Sequence, residues 1–277
     1  MKRPKVCIFC GVCGGSSKEH FWPEWLASHL LPTGVKSHVT EYHTAEGKEP
    51  QRLERRSERP GSVSTKKIRA VCATCNNGWM SALESKAKPC LLALIQQSNT
   101  TLSTETIKTL ALWVTVKSIV AEHATESTAL TTPTDRRAVY KGGVIPSYFR
   151  IFVAFHSLTT QTAYYRQSTT LSMSAVGPDP SLPNAVFRNV QATTFLVGNV
   201  CFYLTAARVA RFNGATLDPV HLMHRLWPEP LQSIDLASSS ILGQPEVSLV
   251  CHSLDRLVGS PHVKYGGPLL ERAASET

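Results

Sequence analysis

The chain has 277 residues, 42% of them apolar and 18% charged, enough to bury one large or two ordinary cores and unlike a collagen-like, coiled-coil or disordered composition. Its net charge of +9 is unevenly placed, with 15 Lys/Arg against 8 Asp/Glu in residues 1–100 and 14 against 12 in residues 101–277. A basic first part beside a near-neutral remainder fits contact with a polyanion, although a basic surface also serves solubility.

In chain order, Met1-Lys2-Arg3-Pro4-Lys5 is not followed by an apolar run, so no signal peptide is expected. The longest uncharged stretch, Asn189 to Ala207, contains Asn, Gln, Thr and Gly and makes a poor membrane span. A cytoplasmic protein with no membrane partner is expected, and its eight cysteines then read as thiols or metal ligands rather than disulfides. Cys7-Ile8-Phe9-Cys10 is a Cys-x2-Cys pair followed by Gly11, which suits the tight turn of a metal knuckle. Cys10-Gly11-Val12-Cys13 is an equally good knuckle; Cys7 and Cys10 are favoured, with Cys13 as a spare. Then come Lys18-Glu19-His20-Phe21-Trp22-Pro23 and a helical period through Trp22, Trp25, Leu26, His29 and Leu30.

Residues 32–70 are polar and weak in pattern, and are expected to form a long connection or insertion with short strands near Ser37–Tyr42 and Lys67–Val71. Cys72-Ala73-Thr74-Cys75 is the second pair. A helix is expected from Cys75 through Lys86, with Trp79, Met80 and Leu83 on one face and Pro89 near its end. The next helix begins near Ser103 or Thr104, where Thr104 can cap, and runs to about Glu122 with a core stripe through Leu110, Ala111, Val114, Ser118 and Ala121. Beyond Pro133 the pattern changes to short β-like runs at Phe149–Phe155, Thr162–Arg166, Ala192–Val197 and Val200–Ala206, with Gly198-Asn199 as a hairpin turn. A soft domain boundary falls near residue 100, and residues 101–277 read as an α+β domain whose sequence says little about chemistry.

Two paired knuckles are a strong signal, because Zn²⁺ is satisfied by four thiolates in a tetrahedron and each knuckle supplies two. Cys7, Cys10, Cys72 and Cys75 would leave no open coordination position, so this zinc would be structural and would staple two distant segments. Cys90, Cys201 and Cys251 stand singly in apolar surroundings and read as buried small residues. Trp22, Trp25 and Trp79 read as the small core of the zinc module ahead of a base-stacking role. His221 and His224 are three apart but lack an acidic partner, and they read as structural. Neither a nucleophile elbow nor a Walker loop appears.

The order Cys-x2-Cys, then Glu19-His20 with Pro23 three positions after the histidine, then Cys-x2-Cys-Asn resembles the HNH endonucleases that carry a four-cysteine zinc site. The run from Glu19-His20 to Asn76-Asn77-Gly78-Trp79-Met80 is also similar, more loosely, to a subgroup of bacterial and phage HNH proteins. The resemblance reaches to about residue 90. It implies a zinc-stapled ββα-metal module in residues 1–100, followed by the α+β domain of residues 101–277. By that resemblance His20 is the general base, and Glu19 and Asn76 hold a catalytic divalent cation. The family's products carry 3′-hydroxyl and 5′-phosphate ends. This chain departs from the pattern twice: no asparagine lies between His20 and Asn76, where Lys67, Ile68 or Arg69 falls near the middle position, and residues 24–70 hold an insertion.

Hydrolysis of a phosphodiester needs both an activated water and charge neutralisation. A neutral imidazole can take the proton near neutral pH, and two oxygen ligands from protein suit Mg²⁺ or Mn²⁺, which keep waters and accept phosphate. Arg52, Arg55, Arg56 and Arg59, then Lys66, Lys67 and Arg69, can reach phosphates from a mobile loop, with nucleic acid, most simply DNA, as the partner; the other reading is an exposed linker whose charges also include Glu49, Glu54 and Glu58. Two functional classes follow: a metal-dependent endonuclease, or a zinc-stabilised nucleic-acid-binding or scaffold module whose HNH site has decayed. The missing middle asparagine favours the second; the intact Glu19, His20, Pro23 and Asn76 favour the first.

Overall fold

The protein was described from a computed structural model, which places residues 6–12, 17, 19–30, 37–44, 52–60, 67–124, 129–159, 162–171, 189–208, 214–230, 232–254 and 263–273. It is an α+β protein, as the sequence implied. A two-residue strand β1 (Glu19–His20) is followed by a 3-10 turn at Glu24–Ser28 and by a hairpin of β2 (Ser37–Thr44) and β3 (Arg52–Pro60). The chain then returns to pair β4 (Lys67–Ile68) antiparallel to β1. One turn, α1 (Ala73–Cys75), leads through a π-helical stretch at Asn76–Met80 into α2 (Ser81–Ile95).

Two of these elements depart from the sequence reading. Arg52, Arg55, Arg56 and Arg59, expected on a mobile loop, lie in the strand β3, which pairs along β2 as the edge of the main sheet. Only Leu53 is apolar between Arg52 and Pro60, so the strand carries no hydrophobic alternation to read. α2 also continues through Pro89, which sits inside the helix, because Leu91 and Leu94 beyond it are fully buried against the common core. Proline removes one hydrogen bond there, and the packing outweighs that loss.

After β5 (Thr101–Leu102), α3 spans Thr104–Glu122. Its cap is Ser103, not Thr104: the Ser103 hydroxyl accepts from the Thr106 N–H at 3.3 Å. α3 is buried nearly all round from Leu110 onward and is the central helix of the core. α4 (Pro133–Gly142) lies where only strands were expected. Its local signal is nonetheless complete, with Thr132 and Asp135 forming a capping box and Pro133 in the first turn.

The remaining strands are β6 (Phe149–Phe155), β7 (Thr162–Leu171), β8 (Val190–Val197), β9 (Val200–Ala207), β10 (His224–Trp227), β11 (Ile234–Asp235) and, after α5 (Gln244–Cys251), β12 (Val263–Ala273). Eight of the strands form one antiparallel sheet in the order β10-β6-β9-β8-β7-β12-β2-β3. β12 pairs on one side with β7 and on the other with β2, so it joins the β2–β3 hairpin to the rest of the main sheet. The expected turn at Gly198-Asn199 closes the β8–β9 hairpin, and Gly198 has φ +62 with the Ile95 side chain 2.9 Å from where a Cβ would stand.

Both faces of the inner strands are covered, which is why they read as nearly unbroken apolar runs. Phe149, Ile151, Val153, Phe195, Phe202 and Leu204 join the α3 side; Phe152, Ala154, Ala192, Leu196, Cys201 and Tyr203 join the α5 side. Phe21 and Trp22, from the first hundred residues, are fully buried in the α3-side core. Their rings meet Tyr164 and Phe195 of the sheet, with Phe21 4.5 Å from Tyr164 and Trp22 6.0 Å from Phe195. Trp22 therefore belongs to the main core rather than to a separate small one. His221 and His224 share no helix face: the first lies in a turn, and the second opens β10 and contacts the Ser239 hydroxyl. Among the described residues, no helix is long and apolar enough to cross a membrane.

Candidate metal centre

Each knuckle is built by its own backbone. In the first, the Gly11 N–H closes onto the Cys7 carbonyl at 3.0 Å, with Gly11 at φ +75, and the Cys7 N–H reaches the Val12 carbonyl at 3.1 Å. In the second, Cys72 caps α1: its sulfur accepts the Cys75 N–H at 3.4 Å, and its carbonyl accepts the Asn76 N–H at 3.0 Å. The Ile8 N–H donates to the Ala70 carbonyl at 3.1 Å and docks one knuckle on the other.

The result is a cluster of Cys7, Cys10, Cys72 and Cys75 whose sulfurs all lie within 4.8 Å of one another, able to hold a metal ion. Cys10 Sγ and Cys72 Sγ are 3.7 Å apart. Cys7 and Cys75 are buried, and Cys10 and Cys72 are half-buried. Cys13 lies outside the described residues. Burial pushes the Cys7 thiol up, but the backbone around Cys10, Cys72 and Phe9 more than offsets this and sets it at about 7. Burial raises the thiols of Cys10 and Cys75. The Trp79 indole N–H faces the Cys75 sulfur without reaching hydrogen-bond geometry. Phe9 packs edge-on to Trp79 at 5.0 Å, and Arg136 Nε donates to the Ile8 carbonyl at 2.9 Å from the far side.

The other candidate residues flank this cluster. β1 and β4 are in register, with Glu19 opposite Ile68 and His20 opposite Lys67. His20 is about one-quarter exposed, and its Nδ1 lies 3.0 Å from Glu24 Oε1. Asn76 directly follows the second knuckle, and its Nδ2 donates to the Ser17 hydroxyl at 2.7 Å. The Ser17 N–H in turn donates to the Val71 carbonyl at 2.8 Å. Among the described residues, then, the side-chain partner of His20 is Glu24 and that of Asn76 is Ser17. Of Glu19 only the backbone is described. Arg56 and Lys67 are exposed; Arg55 is placed in β3 by its backbone alone, and Lys66 lies outside the described residues.

Sequence reasoning missed two participants. Glu24 stands four residues after His20, and that spacing was its only signal. Ser17 left none, because a serine before a strand has many ordinary uses. Comparison with protein-family models, with characterised proteins and with solved structures gave no match.

Proposed function

We propose that this chain is a metal-dependent HNH-type endonuclease that hydrolyses phosphodiester bonds in nucleic acid, most simply DNA. The observation that carries the reading is topological. The Glu19–His20 strand pairs antiparallel with Lys67–Ile68, and the next element is the knuckle turn α1, followed by Asn76 at the start of the π-helical stretch that leads into α2, beside a four-cysteine cluster. That is the strand, strand, helix order a ββα-metal site requires, with the residues between the two strands contributing β2 and β3 to the main sheet.

The cluster suits zinc. A Zn–S distance of about 2.3 Å gives a tetrahedron with edges of about 3.8 Å, close to the 3.7 Å between Cys10 and Cys72. All four ligands are thiolates, so this ion would be structural. Glu19 and Asn76 would hold the second ion, Mg²⁺ or Mn²⁺. Because the Asn76 amide nitrogen is engaged by Ser17, its oxygen is left for a hard cation. When bound, that cation supplies charge neutralisation at the phosphate.

The chain's own groups do the rest. His20 Nε2 takes the proton of the attacking water while Nδ1 is held by Glu24. Lys67, directly across the strand pair from His20, places an ammonium within reach of a phosphate oxygen near that base. Arg55 and Arg56 on β3, together with Lys66, would extend these contacts along the backbone of the nucleic acid.

The test is Mg²⁺- or Mn²⁺-dependent nicking of plasmid DNA. His20→Ala should lower the rate by about 10² to 10⁴-fold with zinc content, melting temperature and DNA affinity unchanged. Asn76→Ala should instead raise the divalent concentration needed for half-maximal rate. If wild type binds DNA but cuts neither DNA nor RNA, the chain is a decayed binding module, the reading favoured by the lysine that stands opposite His20 in place of an asparagine.

A further inference from the structure

His20 and Glu24 are brought together by a constrained backbone, even though the Glu24 side chain is 76% exposed. Between them, Phe21 and Trp22 are fully buried and pin the chain to the sheet. Pro23 then turns it, at φ −53 and ψ 135, into a 3-10 turn that starts at Glu24 and is closed by the Leu26 N–H on the Pro23 carbonyl at 3.0 Å. The Cα of Glu24 is thereby fixed relative to β1. Its carboxylate stands 3.0 Å from the Nδ1 of His20.

We propose that Glu24 is the positioning residue for His20 and takes the place of the asparagine this chain lacks. The inference rests on the reading of His20 as the general base. An ionised carboxylate is acceptor-only, so it can pair only with an Nδ1 that carries the proton. That bond selects the tautomer whose Nε2 has a free lone pair, the atom a base must present, and it fixes the ring's rotation. Lys67, opposite His20, cannot do this, because an ammonium has donors and no acceptor. The second strand thus offers no side-chain acceptor at that register, and Glu24 supplies one from the turn after the first strand.

The experiment uses the full zinc-loaded chain with ¹⁵N-labelled histidine at pH 8, where an ordinary imidazole is neutral, and His20→Gln to assign the signal. Wild-type His20 should show the Nδ1–H tautomer in long-range ¹H–¹⁵N spectra. Glu24→Ala should shift His20 toward Nε2–H and lower kcat for plasmid nicking about 10- to 100-fold with KM unchanged. Glu24→Gln, whose side-chain oxygen can still accept from Nδ1–H, should restore the tautomer and most of the rate. Because Glu24 is exposed, zinc content and melting temperature should match wild type in both variants. A wild-type Nε2–H tautomer, or a Glu24→Ala spectrum like that of wild type, overturns the assignment whatever the activity. If the tautomer moves as expected in a protein that never cuts, the nuclease reading fails and the Glu24–His20 bond stands as a structural one.

Discussion

Cys72 serves twice: its sulfur caps α1 through the Cys75 N–H and also stands 3.7 Å from Cys10 Sγ. The two roles differ in size. A lost cap costs about 1 kcal/mol, whereas a structural zinc contributes on the order of 10 kcal/mol. Cys72→Ser keeps a capping oxygen but loses the thiolate, so it separates the two. Metal analysis of the wild-type chain should find one tightly held zinc, and both Cys72→Ser and Cys72→Ala should lose it with nearly the same large fall in melting temperature. A Cys72→Ser protein as stable as wild type would deny the metal a structural role. The remaining cysteines contrast with Cys7, held near 7 at the cluster. Burial pushes Cys90 and Cys251 up to about 11, and Cys201 well above its ordinary value. Such thiols stay protonated and inert near neutral pH.

At the scale of elements, β3 changes how the basic residues act. A mobile loop would leave the spacing of Arg52, Arg55, Arg56 and Arg59 free; on an edge strand the pleat fixes it along the backbone, while Lys67 lies on β4, paired across from His20. Neutralising Arg55, Arg56, Lys66 and Lys67 together should flatten the slope of log affinity against log salt by about three to four units, and Lys67→Gln alone by about one. Equilibrium titrations of a DNA duplex between 50 and 200 mM salt measure this, and an unchanged slope would mean that none of these residues touches a phosphate. What the sequence made legible follows the same logic. α3 and the inner strands were readable because burial on a defined face writes a period, and the Gly198-Asn199 turn because positive φ selects glycine. The edge strand β3 has one apolar residue, Leu53, between Arg52 and Pro60, so it writes no period and was not readable. α4 was announced only by its capping box. At the candidate site, the cysteine pairs announced themselves by spacing. Glu24 and Ser17 did not, since each acts through one hydrogen bond that sequence spacing cannot specify.

At the scale of the whole molecule, the cysteine cluster and the sheet share one interior. Arg136 donates both to the Ile8 carbonyl, inside the first knuckle, and to the Thr131 carbonyl. Thr131 donates its N–H to Glu122 at 3.0 Å, Gln191 Nε2 donates to the other Glu122 oxygen at 2.7 Å, and Arg166 Nη2 donates to Gln191 Oε1 at 2.9 Å. Thr131, Glu122, Gln191 and Arg166 are all buried, so each depends on its neighbours to offset the cost of leaving water. Phe21 and Trp22 add an apolar bridge from the strand after the first knuckle to Tyr164 and Phe195. Net folding stability is about 5–15 kcal/mol, comparable to what a structural zinc supplies, so metal loss should not be absorbed locally. If the cluster holds a structural zinc, as proposed, chelating it should unfold the chain in one transition. Far-UV circular dichroism and tryptophan fluorescence should change together, and hydrogen exchange should lose protection in α3, β7 and β8 at the same chelator concentration as in the knuckles. If chelation released residues 6–95 while α3 and the sheet kept their protection, the network from Ile8 to Arg166 would be a contact between two independently stable bodies rather than part of a common core.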